Sequence, residues 1–255
     1  MIEIIGLTKR YGAVAAVDDV SMRVPEGELL VLLGGSGSGK TTTLRMVNRL
    51  IEPSAGRIVL DGHDVTTVSG PDLRRRIGYV VQRGGLFPHM TVAENVAITP
   101  RLLGWAPARV EARVDELLEL VELSPALVRH RAPGALSGGE QQRVGVARAL
   151  AAAPRVMLLD EPFGALDALT RDRLQQSFLR IRRQVGLTAI FVTHDMSEAL
   201  LLGDRIAVMQ AGRLVQIGTP HDLLRAPADD YVRQLLSTPM RQARTVEALL
   251  GRDQA

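Results

Sequence analysis

The chain has no cysteine, few aromatic residues (3% of 255), and only two lysines among its 31 basic residues. The missing cysteines exclude a disulfide-stapled scaffold and give no support for export. The first residues, Met1-Ile2-Glu3-Ile4-Ile5, lack a basic stretch followed by a long apolar one, so they do not read as a signal sequence. No uninterrupted apolar run approaches the roughly 18 residues of a membrane-spanning helix. Net charge is +3, with the basic residues scattered, so a nucleic-acid-binding surface is not indicated. With 46% apolar and 23% charged residues the composition is that of a globular protein.

Against these absences stand several strand-like segments. Ile2 to Leu7 and Val17 to Val24 are β-rich, and Leu29-Leu30-Val31-Leu32-Leu33 is a continuous apolar run suited to a strand buried on both faces. A glycine-rich loop and a helix over about Lys40 to Leu50 follow. Further strands are expected at Ile58 to Leu60, Ile77 to Val81, Val156 to Leu159 and Ala189 to Val192, with a hairpin turning at Ala211-Gly212. Between about Thr91 and Ala153 the periodicity is helical, so a parallel core encloses a helical insert. We divide the chain into 1–88, the first part of the core; 89–153, the helical insert; 154–219, the rest of the core; and 220–255, a tail expected to form short helices.

Gly34-Gly35-Ser36-Gly37-Ser38-Gly39-Lys40-Thr41 fits G-x-x-x-x-G-K-[ST] between a buried strand and a helix, the context that a phosphate-binding loop requires. The backbone N–H groups of Gly34, Gly35, Ser36, Gly37, Ser38 and Gly39, continuing into Lys40, Thr41 and Thr42, would surround the phosphates of ATP. Lys40 would reach the β- and γ-phosphates, and the Thr41 hydroxyl would ligate Mg2+. A lysine here, in a chain that otherwise uses arginine almost throughout, suggests that a compact ammonium is needed. The alternative, a flexible Gly/Ser turn, does not account for that choice.

The strand Val156 to Leu159 ends in Asp160-Glu161. On a parallel sheet both acids reach the edge that carries the phosphate loop, where Asp160 is placed to hold Mg2+ and Glu161 to orient or deprotonate an attacking water. Leu136-Ser137-Gly138-Gly139-Glu140-Gln141-Gln142-Arg143 then opens a helix. Ser137-x-x-Glu140 reads as a capping box, but two glycines are poor helix formers, and they bare the N–H groups of the first turn as a second anion site.

This segment reproduces the signature of the ABC ATPase family, which the chain resembles over nearly its whole length. The resemblance implies a P-loop NTPase core of mainly parallel sheet, an N-terminal antiparallel β subdomain and an inserted α-helical subdomain. It further implies a homodimer in which Ser137, Gly138 and Gly139 close over the partner's ATP. By the same resemblance Tyr11 stacks on adenine, Gln82 touches Mg2+ and the lytic water, Asp167 crosses the dimer interface, and His194 contacts the γ-phosphate.

The stretches Met46 to Pro53, Leu86 to Val96, Pro100 to Trp105 and Asp160 to Asp167 look like the ATPases of bacterial osmoprotectant importers. That resemblance implies transmembrane permease subunits, an extracytoplasmic binding protein for glycine betaine, choline, carnitine or proline-type solutes, and a peripheral position on the cytoplasmic face of the inner membrane. Many members of that group carry a C-terminal regulatory pair of domains, which this chain, ending at Ala255, is not expected to use. Arg83-Gly84 departs from the family's usual residues beside the glutamine, an expected influence on permease docking. Importers of amino acids, polyamines or phosphate remain alternatives. A soluble ABC ATPase of DNA repair or translation fits less well, since the chain has neither a second ATPase unit nor long coiled coils, and a P-loop kinase conflicts with the signature helix.

Overall fold

The computed structural model describes residues 1–82 and 85–252; Arg83-Gly84, for which an effect on docking is expected, lies outside them. The chain opens on a long hairpin of β1 (Ile2–Tyr11) and β2 (Val14–Val24), followed by β3 (Leu29–Leu33), α1 (Lys40–Val47), β4 (Ala55–Leu60) and the two-residue β5 (His63–Asp64). β2, β1, β4 and β5 pair in that order as an antiparallel sheet. The hairpin extends beyond the expected Leu7 and Val17. Its outer half is built from Thr8, Lys9 and Arg10, polar residues on a solvent-facing ladder, and register shifts between Ile4 and Arg10 break the alternation that marks a strand in sequence.

After α2 (Gly70–Arg75) and β6 (Ile77–Val80) comes the helical insert: α3 (Val92–Leu102), α4 (Pro107–Leu120), α5 (Pro125–Val128) and α6 (Gly138–Leu150). Thr91 starts α3 with a capping box in which its hydroxyl accepts the Glu94 N–H while the Glu94 carboxylate accepts the Thr91 N–H. The core resumes with β7 (Val156–Asp160), α7 (Ala168–Val185), β8 (Thr188–Thr193), α8 (Met196–Leu202), β9 (Arg205–Gln210) and β10 (Arg213–Gly218). The second sheet runs β10-β9-β3-β8-β7-β6, parallel except for the terminal β9-β10 hairpin, which turns at Ala211-Gly212 with positive φ at both residues.

Burial on both faces explains the unbroken apolar run of β3. Leu30 and Leu32 pack with β1, β2 and α1, whereas Leu29, Val31 and Leu33 join the core beneath the insert and α7. The tail corrects the expectation of short helices: α9 (Pro220–Arg225) is short, but α10 spans Asp230–Arg252, with Pro239 inside it.

One polar tie holds the sheet's inner strands to α7. The Asp204 carboxylate accepts the Leu29 N–H at 2.8 Å and pairs with Arg182, whose side chain is 6% exposed and also donates to the Gly27 carbonyl at 3.1 Å. Burial would raise the Asp204 carboxyl, but the bonds from Arg182 and Leu29 outweigh it and hold the group below its ordinary value of 3.8. A depressed folded-state pKa gives stability that is present above the ordinary value and lost as pH falls through the folded one, so the tie survives throughout the neutral range. Asp204→Ala leaves a buried guanidinium and a buried N–H without partners. It is expected to cost about 3 kcal/mol or more, measured by denaturant unfolding at neutral pH.

Candidate nucleotide site

Because β3, β8, β7 and β6 are neighbours and parallel, everything that follows their C-terminal ends converges on one sheet edge. The loop 34–39 leaves β3, Gln82 follows β6, Asp160 and Glu161 close β7, and His194 follows β8.

The loop's shape depends on glycine at two close approaches. Gly34 has φ 154°, and a Cβ there would lie 2.2 Å from the Met209 carbonyl oxygen; Gly39 has φ 100°, and a Cβ there would lie 2.6 Å from that of Ala16. Gly39 caps α1 without a side-chain bond. In that first turn Thr43 donates to the Gly39 carbonyl at 2.8 Å, so the amides of Lys40, Thr41 and Thr42 open the helix toward the loop's concavity. The Lys40 ammonium, 6% exposed, donates to the carbonyls of Gly34 and Gly35, each at 2.8 Å, and to the Ser38 hydroxyl at 3.2 Å. Burial pushes Lys40 down from its ordinary value against the pull of Glu161 and Asp160. A phosphate entering the loop would offer this ammonium charged acceptors in place of neutral ones.

Across from Lys40, the Thr41 hydroxyl donates to Asp160 Oδ1 at 2.9 Å. Burial raises the Asp160 carboxyl, and the Thr41 bond pulls the other way. Thr41, Asp160 and the amide oxygen of Gln82 are hard oxygen donors, the chemistry that suits Mg2+ shared with a substrate's phosphates. Among the described residues no group of three or more His, Asp or Glu could hold a metal ion unaided.

Glu161 stands at the centre of a triad. Gln82 Nε2 donates to its Oε2 at 2.8 Å, and His194 Nδ1 lies 3.0 Å from its Oε1. Burial raises the Glu161 carboxyl, but the bonds from His194 and Gln82 and the charges of His194 and Lys40 hold it below the ordinary 4.5. The carboxylate is therefore ionised at neutral pH and able to take a proton from water. Glu161 also holds a φ of 48°, an uncommon conformation for a side-chain-bearing residue, fixed by its N–H donating to the Val192 carbonyl at 3.0 Å.

The remaining candidates stand apart from this cluster. Tyr11 ends β1; the residue is 53% exposed, and Lys9 Nζ lies 5.2 Å from its ring centroid. Asp167 caps α7, its carboxylate accepting the Thr170 N–H at 3.0 Å. Ser137 opens α6 with a full capping box: its hydroxyl oxygen accepts the Glu140 N–H at 3.2 Å, and its N–H donates to Glu140 Oε2 at 2.8 Å. Among the described residues Ser137, Gly138 and Gly139 share no hydrogen bond with the phosphate loop. A Cβ on Gly139 would press on Leu166 at 3.2 Å, but one on Gly138 would meet nothing within 4 Å. Packing inside the chain therefore accounts for Gly139 but not for Gly138.

Sequence reasoning missed two contacts. Tyr231 on α10 accepts the Gly35 N–H at 2.9 Å, and no local pattern marks that residue. Gln142, inside the signature stretch, bonds at both ends of its amide to the loop that follows β7. Its position three residues after Gly139, on the same helix face, was the available signal.

The sequence model of a family described as ABC transporter matches residues 17–164. The choline transport ATP-binding protein OpuBA of Bacillus subtilis is 49% identical over 92% of this chain and 62% of its own length. The glycine betaine uptake system ATP-binding protein YehX of Escherichia coli is 51% identical over 92% of this chain and 76% of its own. Among solved structures, the dimeric structure of MJ0796, a bacterial ABC transporter cassette, superposes with a TM-score of 0.81 at 32% identity, covering 86% of this chain and 99% of that one. The chain thus spans less than two thirds of the length of the first of these relatives.

Proposed function

Since the chain belongs to the ABC transporter family, we propose that it is the ATP-hydrolysing subunit of an importer for an osmoprotectant such as glycine betaine, choline, carnitine or proline. The observation that carries the hydrolytic part is the ionised Glu161, held between Gln82 and His194 beside the Thr41–Asp160 pair. That arrangement aims a base at water, as hydrolysis requires.

In this reading ATP lies along the loop from Gly34 to Thr42, with adenine against the exposed face of Tyr11 and the Lys40 ammonium on the β- and γ-phosphates. Thr41, Asp160 and Gln82 would hold Mg2+, which when bound neutralises charge on the phosphates. Glu161 orients the attacking water and takes its proton. His194 and Gln82 fix that carboxylate, and His194 reaches the γ-phosphate. Two chains pair so that Ser137, Gly138 and Gly139 of each close on the partner's nucleotide, with Asp167 at the interface. Two ATPs close the pair and hydrolysis reopens it.

The chain would work on the cytoplasmic face of the cell membrane, bound to permease subunits that receive solute from an extracytoplasmic binding protein. Among the described residues no helix is long and apolar enough to cross a membrane. Support for permease docking comes from a cleft of about 410 Å3 between the core and the helical insert, lined among others by Tyr79, Phe87, Leu102 and Arg148. Arg148, on α6, donates to the Gly85 carbonyl, so this cleft communicates with the segment that carries Gln82.

The cargo is tested by uptake of labelled glycine betaine, choline, carnitine, proline and a polyamine in a deletion strain, at low and high osmolarity. Loss of uptake of one or more of the first four, restored by the intact gene, is the expected result. Unchanged uptake of all four, with loss of polyamine uptake, would replace osmoprotectants by the alternative cargo.

A further inference from the structure

The helix that opens at Ser137 and the loop that carries the catalytic carboxylate belong to different subdomains, yet one side chain joins them. Gln142, on the second turn of α6, donates from Nε2 to the Glu161 carbonyl at 2.8 Å and accepts the Ala165 N–H on Oε1 at 3.0 Å. Both ends of the amide are therefore used, one at each end of the turn that leads from Glu161 to Asp167. The same turn is pressed by α6 at a second place: Gly139 lies so close to Leu166 and Ala165 that a Cβ would meet Leu166 Cδ2 at 3.2 Å and the Ala165 carbonyl oxygen at 3.6 Å. Gln142 also fastens a segment under strain, because Glu161 itself has a φ of 48°.

We propose that Gln142 is a positioning residue that carries any movement of the signature helix into the Glu161 carboxylate of the same chain. The signature helix then has two outputs: its first turn faces the partner's nucleotide, and its second turn sets the base for its own. When α6 shifts relative to the core, the amide pulls on the Glu161 carbonyl and the Ala165 N–H together. The turn moves as a unit, and with it the direction in which Glu161 faces water. Placement errors of this kind act on the rate of the chemical step far more than on nucleotide binding, which rests on the loop after β3.

This inference rests on the ATPase reading, and the test separates the two. Gln142→Met keeps the volume and removes both bonds; Gln142→Glu keeps the acceptor for Ala165 but turns a second oxygen toward the Glu161 carbonyl. ATPase rates and amide hydrogen exchange are measured on the full chain. For Gln142→Met the expected result is a kcat lower by about 10- to 100-fold with KM for ATP within about threefold of wild type. The Ala165 amide should exchange at least about tenfold faster.

Gln142→Glu adds a signature that a packing role does not produce. Ionised, its carboxylate opposes the Glu161 carbonyl; protonated, its O–H donates to that carbonyl as the amide does. The ratio of its kcat to wild type therefore rises as pH falls, while the Gln142→Met ratio stays flat. The neighbouring charged groups, Glu161 and Asp167 on the turn, His194 beside Glu161, and Glu140 and Arg143 on α6, are common to all three proteins. Wild-type kcat in both variants, a flat ratio for Gln142→Glu, or unchanged Ala165 exchange would overturn the proposal. An inactive wild type would instead overturn the ATPase reading, and the exchange measurement would still decide whether Gln142 ties the turn.

Discussion

Glu161→Gln is expected to lower ATP turnover by roughly 10²- to 10⁴-fold while leaving ATP bound and the paired state closed. The substitution changes little besides basicity. The new amide oxygen still accepts from Gln82 Nε2, and its nitrogen can donate to an unprotonated His194 Nδ1, so the triad's geometry of 2.8 and 3.0 Å is retained. The groups that bind nucleotide, from Gly34 to Thr42, are untouched. Loss of turnover with retained binding therefore isolates proton acceptance from water. Phosphate release gives the first quantity, and gel filtration with ATP gives the second, since a variant that binds but does not hydrolyse accumulates as the dimer. If the variant turns over at the wild-type rate, Glu161 is not the base.

What carries this expectation is legible in the amino-acid sequence, for identifiable reasons. The phosphate loop is marked by glycines whose positive φ and close carbonyl contacts no other residue tolerates, as at Gly34 and Gly39. β3 and β7 are marked because strands buried on both faces are apolar at every position. Other features left no such trace. The outer half of the β1-β2 hairpin is held by backbone pairing among Lys9, Arg10, Tyr11 and their partners Val17, Ala15 and Val14, with side chains free to be polar, so periodicity fades where the ladder continues. The 23 residues of α10 read as shorter helices because Pro239 and many polar residues interrupt the pattern. The tie from Gln142 to the turn after Glu161, like that from Tyr231 to Gly35, links residues separated by 19 to 196 positions in the chain, which only the folded topology brings together.

The second large effect concerns pairing, and it follows from Gly138. A Cβ there meets nothing in its own chain, so Gly138→Asp leaves the fold intact and an acid at the first turn of α6 even favours the helix. The same charge would repel a phosphate brought to that turn by a partner. Lys40→Ala removes the cation of the phosphate loop on the other side of such a composite site. Each variant alone is expected to lose ATPase activity by about 100-fold or more, because both sites of its homodimer are damaged. Mixed and allowed to exchange, the two should regain activity: in a head-to-tail pair, one site unites both lesions and the other has neither. With random association about half of the dimers are mixed and carry one intact site, so recovery should approach a quarter of the wild-type rate if sites act independently. A site completed within one chain predicts no recovery at any mixing ratio. The mixing curve therefore distinguishes a motor that works as a pair from two motors that merely touch.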